Sequence, residues 1–100
     1  MVRPLSKLRE TARGRDCQVR LAGICNFNPE TTVLAHFRLA GTCGMGIKPH
    51  DLLGAWACSS CHDEIDRRTR SVDAETAALA HLEGVLRTLV ELIKERKITI

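Results

Sequence analysis

The residues best equipped for chemistry form the run Cys58-Ser-Ser-Cys61-His62. Two cysteines at i and i+3 at a helix start can both face one tetrahedral ion, and thiolates suit the softness of zinc. Cys17 and Cys25, near the two ends of a hairpin-like loop, would complete a four-cysteine zinc site. Their spacing is longer than that of a usual metal knuckle, and four free thiols in the core are the plainer alternative. The fifth cysteine, Cys43, could replace one of the four. An odd count fits a disulfide framework poorly. Cys-x-x-Cys-His is also the attachment motif of c-type haem, with His62 as proximal ligand and His81 as the available distal one. The charged N-terminus lacks an export signal and aromatics are scarce, so the metal reading is preferred.

His36 ends the run Thr31–His36, and His62 lies in the first turn of a later helix. A strand–loop–strand–helix unit folds these positions toward each other. Asp66 follows His62 by four residues, so the two share a helix face and can hold one divalent cation. Phosphodiester cleavage needs such parts: a neutral imidazole to take a proton from water, and a hard cation to bind the scissile phosphate. A guanidinium such as that of Arg38 can steady the phosphate. The plainer readings are a hydrogen-bonded core histidine for His36 and, for Asp66, an exposed partner of Arg70 at i+4.

The elements that must position these groups are short. Residues 5–12 read as a helix stopped by Gly14, residues 17–21 as a strand, residues 31–36 as the clearest strand, and residues 55–57 as another. Residues 39–54, with four glycines, read as a functional loop. One helix is expected from Ser59 or Ser60 to about Thr69. A long one follows Ser71 or Asp73, with Leu79, Leu82, Leu86, Leu89 and Ile93 as a continuous stripe that covers the body or pairs with a second copy. The expected class is α+β with little sheet, in one domain over residues 1–100: a metal-binding unit at 8–72 and a C-terminal helix at 73–95.

Composition bounds the function. The chain is 44% apolar with three aromatic residues, a core that gains from a metal staple. No run approaches the length needed to span a bilayer, so a cytoplasmic protein without a membrane partner is expected. The net charge of +3 is concentrated: residues 1–20 hold six cations against two acids, and Arg67, Arg68 and Arg70 form a second cluster. Both clusters could meet phosphates, or simply be solvated.

The segments RGRDCQVRLAGICNFNPET, VLAHFRLAG, GIKPHDLL and ACSSCHDEIDRRT resemble the HNH (ββα-metal) endonucleases, in particular the small phage and prophage nuclease family YbcO. The resemblance spans about residues 8–72. It implies a zinc-stapled ββα-metal domain with His36 as general base, Asp51 near the position that orients the base, His62 as a metal ligand and Asp66 at a final ligand position. It also makes Cys17, Cys25, Cys58 and Cys61 the structural zinc site. Two departures stand out: Ala35 occupies a position where many relatives carry a metal ligand, and Asp51 replaces asparagine, with His50 beside it able to compete.

The function expected is metal-dependent hydrolysis of DNA phosphodiester bonds that leaves a 5′-phosphate, with structural Zn2+ and catalytic Mg2+ or another divalent cation. The alternative is a non-catalytic zinc module that binds nucleic acid or a protein partner. A homodimer through the C-terminal helix is compatible with both.

Overall fold

A computed structural model describes the backbone of residues 5–39 and 50–96, and side chains from residue 8 onward. Helix α1 covers Leu5–Glu10, strands β1 and β2 cover Val33–His36 and Gly54–Ala57, and helices α2 and α3 cover Ser59–Ile65 and Ala74–Lys94. The strands form an antiparallel pair in the register Val33–Ala57, Leu34–Trp56, Ala35–Ala55 and His36–Gly54. This is the expected α+β architecture with little sheet and a long last helix. Most of the expected loop at residues 39–54, Cys43 included, lies outside the described residues.

Three sequence expectations are corrected. Residues 17–21 form no strand. Arg20 adopts a left-handed conformation (φ 54°) that breaks the extended run, and a single ladder-like bond joins Gln18 N–H to the Trp56 carbonyl at 2.7 Å. The turn serves Cys17, whose sulfur accepts the Arg20 N–H at 3.4 Å. The next run is also shorter than expected: Asn28 caps a 3-10 turn at Pro29–Thr31, and β1 starts only at Val33. Helix α2 stops at Ile65 rather than Thr69, because Arg67 is left-handed (φ 63°). Buried Glu64 then organises the connection, accepting the Thr69 hydroxyl at 2.6 Å and the Val72 N–H at 2.9 Å. The Thr69 hydroxyl, foremost, holds this carboxyl below its ordinary range.

Helix α3 is capped by Asp73, whose side chain accepts the Thr76 N–H. It packs across the strands with Ala77, His81, Gly84, Val85, Thr88 and Leu92 buried. This face is small and partly polar because the helix approaches closely. A Cβ at Gly84 would lie 2.9 Å from Val19 Cγ2 and 3.2 Å from Ala55 Cβ. Fully buried Thr88 accepts the Trp56 backbone N–H at 2.9 Å, satisfying a strand donor that would otherwise be costly to bury. The expected leucine stripe points elsewhere: Leu79, Leu82, Leu86 and Ile93 are exposed, and only Leu89 packs against the core.

Two buried clusters result. One gathers Val19, Leu21, Ala35, Ala55, Ala57 and Val85 around the cysteines. The other joins Leu8 and Ala12 to Trp56 and Leu92. Arg15 stacks over Trp56 at 4.8 Å and pairs with Glu95 beyond the end of α3, tying the N-terminal segment down. Gly84→Leu is expected to destabilise the fold by about 1–3 kcal/mol through overpacking against Val19 and Ala55. Thermal denaturation checks this, and an unchanged melting temperature would contradict the close helix–sheet contact.

Candidate metal centre and catalytic cleft

Cys17, Cys25, Cys58 and Cys61 come together as the spacing suggested. Their four sulfur atoms all lie within 4.8 Å of one another, with three of the residues buried. Cys58 and Cys61 flank the start of α2, and the Cys61 N–H points at the Cys58 sulfur at 3.4 Å. On the other side, the turn that closes Ile24 and Cys25 N–H onto the Leu21 carbonyl brings Cys25 beside Cys58, with sulfurs 3.8 Å apart. That distance is about the edge of a tetrahedron with metal–sulfur bonds of ~2.3 Å, and far longer than a disulfide.

The thiols also perturb one another's ionisation. The Cys61 thiol, as hydrogen-bond partner, draws the Cys17 thiol down to about 4. Burial, foremost, raises Cys25 to about 11, and the Cys17 contact pushes Cys61 well above its ordinary range. Four thiolates this close repel one another, and a divalent cation removes that repulsion. The cluster can therefore hold a metal ion.

A second constellation forms at the far end of the strands. His36 ends β1, and a 3-10 turn at Asp51–Leu53 leads into β2 opposite it. His50 caps that turn, its Nδ1 accepting the Leu52 N–H at 3.0 Å. Asp51, rather than His50, reaches the histidine: its Oδ1 lies 2.6 Å from His36 Nε2. The Asp51 side chain is almost wholly buried. Its Oδ2 has no hydrogen bond, but Arg9 Nε of the first helix lies 3.2 Å away as an ionic partner. A carboxylate only accepts, so it holds the proton on Nε2 and leaves the lone pair of His36 on Nδ1.

His36 borders a cavity of about 270 Å3 lined also by Arg38, Asp66, Arg67 and His81. Strand end and helix end thus meet at one cleft. Asp66 pairs with His62 Nε2 at 3.1 Å and with Arg68 at 3.6 Å, not with Arg70. The pair offers two metal donors. Among the described residues, the cysteines are the only group of three or more ligand atoms that converge. Ala35, buried in the sheet, adds none.

Two cleft residues, His81 and Arg67, and the Asp51 partner Arg9 are not marked as site residues by the sequence. His81 was considered only as a haem ligand, yet its Nε2 donates to the Ala35 carbonyl at 2.8 Å and its ring lies 5.0 Å from that of Phe37. Burial, foremost, depresses its pKa and favours the neutral form. With the leucines marking the opposite face as the apolar one, nothing in the sequence signals that His81 faces the strands. Arg9 and Arg67 were read only as members of basic clusters, and nothing in their spacing points to Asp51 or to the cleft.

Removing the metal should separate the two constellations. Chelation, or Cys58→Ser, is expected to reduce the bound ion from one per chain to none and to lower the melting temperature, with recovery of the chelated protein on re-addition of zinc. Elemental mass spectrometry with thermal denaturation checks this. Full stability without metal would contradict a structural role for the cluster.

Comparison with known proteins places the chain. Residues 6–97 match the family model described as "Putative nuclease YbcO". Proteins of the same description from Escherichia coli (strain K12) and Enterobacteria phage 82 are each 60% identical over 91 residues, covering 91% of this chain and 95% of the relative. A solved structure, "Structure of a putative bacteriophage protein from Escherichia coli str. K-12 substr. MG1655", superposes with a TM-score of 0.79 at 56% identity, covering 90% of this chain and all of the other. With a metal-capable cysteine cluster, a His–Asp cleft and these matches over nine-tenths of its length, the chain belongs to the YbcO family.

Proposed function

We propose that this chain is a metal-dependent endonuclease of the ββα-metal (HNH) type that hydrolyses phosphodiester bonds in DNA. The observation that carries the reading is the buried Asp51 carboxylate holding His36 Nε2 at 2.6 Å at the edge of the cleft. A histidine fixed in this way, with a basic Nδ1 available, is what activation of water requires. The order β1–β2–α2 and the family's nuclease description support the same reading.

In this account His36 Nδ1 takes a proton from water as the water oxygen attacks the phosphorus. The P–O3′ bond breaks, leaving a 5′-phosphate and a 3′ oxygen that takes up a proton from solvent. Asp51 keeps the imidazole in the required tautomer and stabilises the imidazolium that forms. His62 and Asp66 are the residues that would hold a divalent cation such as Mg2+, which supplies positive charge at the scissile phosphate when bound. Arg38 steadies the phosphate from the cleft wall. The ion held by Cys17, Cys25, Cys58 and Cys61 is zinc in a structural role, since four thiolates leave no open position. The setting is a phage or prophage enzyme working in the cytoplasm.

One observation favours a second reading, a non-catalytic zinc module that binds nucleic acid or a protein. Only His62 and Asp66 pair as donors at the cleft among the described residues, and Ala35 stands where a further ligand could be.

Plasmid nicking separates the two. Wild-type protein with added Mg2+ or Mn2+ is expected to nick. His36→Ala should lower the rate by about 100- to 10,000-fold while the cysteine-bound ion and the melting temperature stay unchanged. Normal cleavage by this variant would remove His36 from the mechanism.

A further inference from the structure

The outer face of α3 exposes five large apolar side chains: Leu79 (58%), Leu82 (44%), Leu86 (57%), Val90 (49%) and Ile93 (41%). They lie on the side of the helix away from the buried Ala77, His81, Gly84, Val85 and Thr88. A contiguous apolar stripe on a small protein marks a surface built to be covered.

The spacing of the stripe indicates what covers it. Measured from Leu86, the other four residues stand seven and four positions before it and four and seven positions after it. The set is therefore unchanged when the chain direction is reversed. A two-fold axis at Leu86 would set Leu86 against the partner subunit's Leu86, Leu82 against the partner's Val90, and Leu79 against the partner's Ile93. This is the reciprocity an isologous interface requires.

Charge selects the antiparallel arrangement over a parallel one. The N-terminal half of the helix carries Asp73, Glu75 and Glu83, whereas the C-terminal half carries Arg87, Lys94 and Arg96 against Glu91 and Glu95, with Lys94 paired to Glu91 at 3.3 Å and Glu95 paired to Arg15. Antiparallel packing brings each acidic N-terminal half to the partner's C-terminal half, where three cations outnumber two acids, and opposes the two helix dipoles, whereas parallel packing sets the two acidic halves side by side. On one flank of the stripe Glu83 and Arg87 pair at 3.7 Å, with Arg87 also donating to the Gln18 carbonyl at 2.7 Å, and the two-fold would add the reversed pair on the same flank.

We propose that the protein is a two-fold homodimer formed by antiparallel packing of the outer faces of α3, with Leu86 at the axis. The inference is independent of the nuclease reading, because none of the five residues lines the cleft.

Sedimentation of the metal-loaded chain at high micromolar concentration should show a dimer. Leu86→Glu, at a solvent-facing position, should sediment as a monomer with unchanged helix content and metal stoichiometry. Mixing Leu82→Cys with Val90→Cys protein should give a disulfide between positions 82 and 90, found by peptide mass spectrometry and much weaker in either variant alone. A monomeric wild type would overturn the proposal, as would a dimer that survives Leu86→Glu. Efficient crosslinking of the Leu82→Cys variant to itself would overturn the antiparallel arrangement.

Discussion

The convergence of four sulfur atoms is the constraint on which the rest of the structure depends. Two strands of four residues each and three aromatic side chains make a small sheet and a modest core. The segment from Cys17 to Cys25 has no regular secondary structure and is held to the sheet by one ladder-like bond, from Gln18 N–H to the Trp56 carbonyl. Its other anchors are buried Val19 and Leu21 and the sulfurs of Cys17 and Cys25, which meet those of Cys58 and Cys61 in the interior. Where β2 gives way to α2, the same cluster fixes the angle between them. His62 follows Cys61 directly, so the clamp also sets where the cleft's helix begins.

Helix α3 supplies the second layer, through small and polar residues. Gly84 lets the backbone approach Val19 and Ala55, Thr88 satisfies a strand N–H, and His81 satisfies the Ala35 carbonyl one residue before His36. The cleft is therefore braced from behind by a helix whose inner face serves the strand backbone. Arg9 braces it from another side by standing next to the buried Asp51 carboxylate. This arrangement places one imidazole nitrogen against a fixed acceptor, the kind of preorganisation on which the proposed hydrolysis would draw.

Much of this was legible in the sequence because it rests on local rules. Cysteines at i and i+3, a histidine closing a β-branched run and a carboxylate four residues after a histidine are patterns of spacing, and the structure brings those residues together. The closeness of Asp51 to His36 was anticipated from family resemblance, not from spacing. What escaped depended on tertiary context. The run 17–21 has strand-forming residues, but Cys17 needs a turn at Arg20, and that demand outweighs propensity. The last helix was read by its large side chains, although close packing selected Ala77, Gly84 and Thr88 for the interior and left most of the leucines outside. Glu64 lies among acids whose early place in the helix suits its dipole, yet it is buried and gathers the turn after α2.

The proposed hydrolytic centre at His36, Asp51, His62 and Asp66 would work on a body stapled by the cysteine cluster. Its most direct test is nicking of supercoiled plasmid by pure wild-type protein, with the cysteine site verified as fully loaded, across a titration of Mg2+ and Mn2+. No nicking is expected without the added ion and a saturable rise with it, while the cysteine-bound metal stays at one per chain. Binding of DNA without nicking at any concentration of either ion would contradict it.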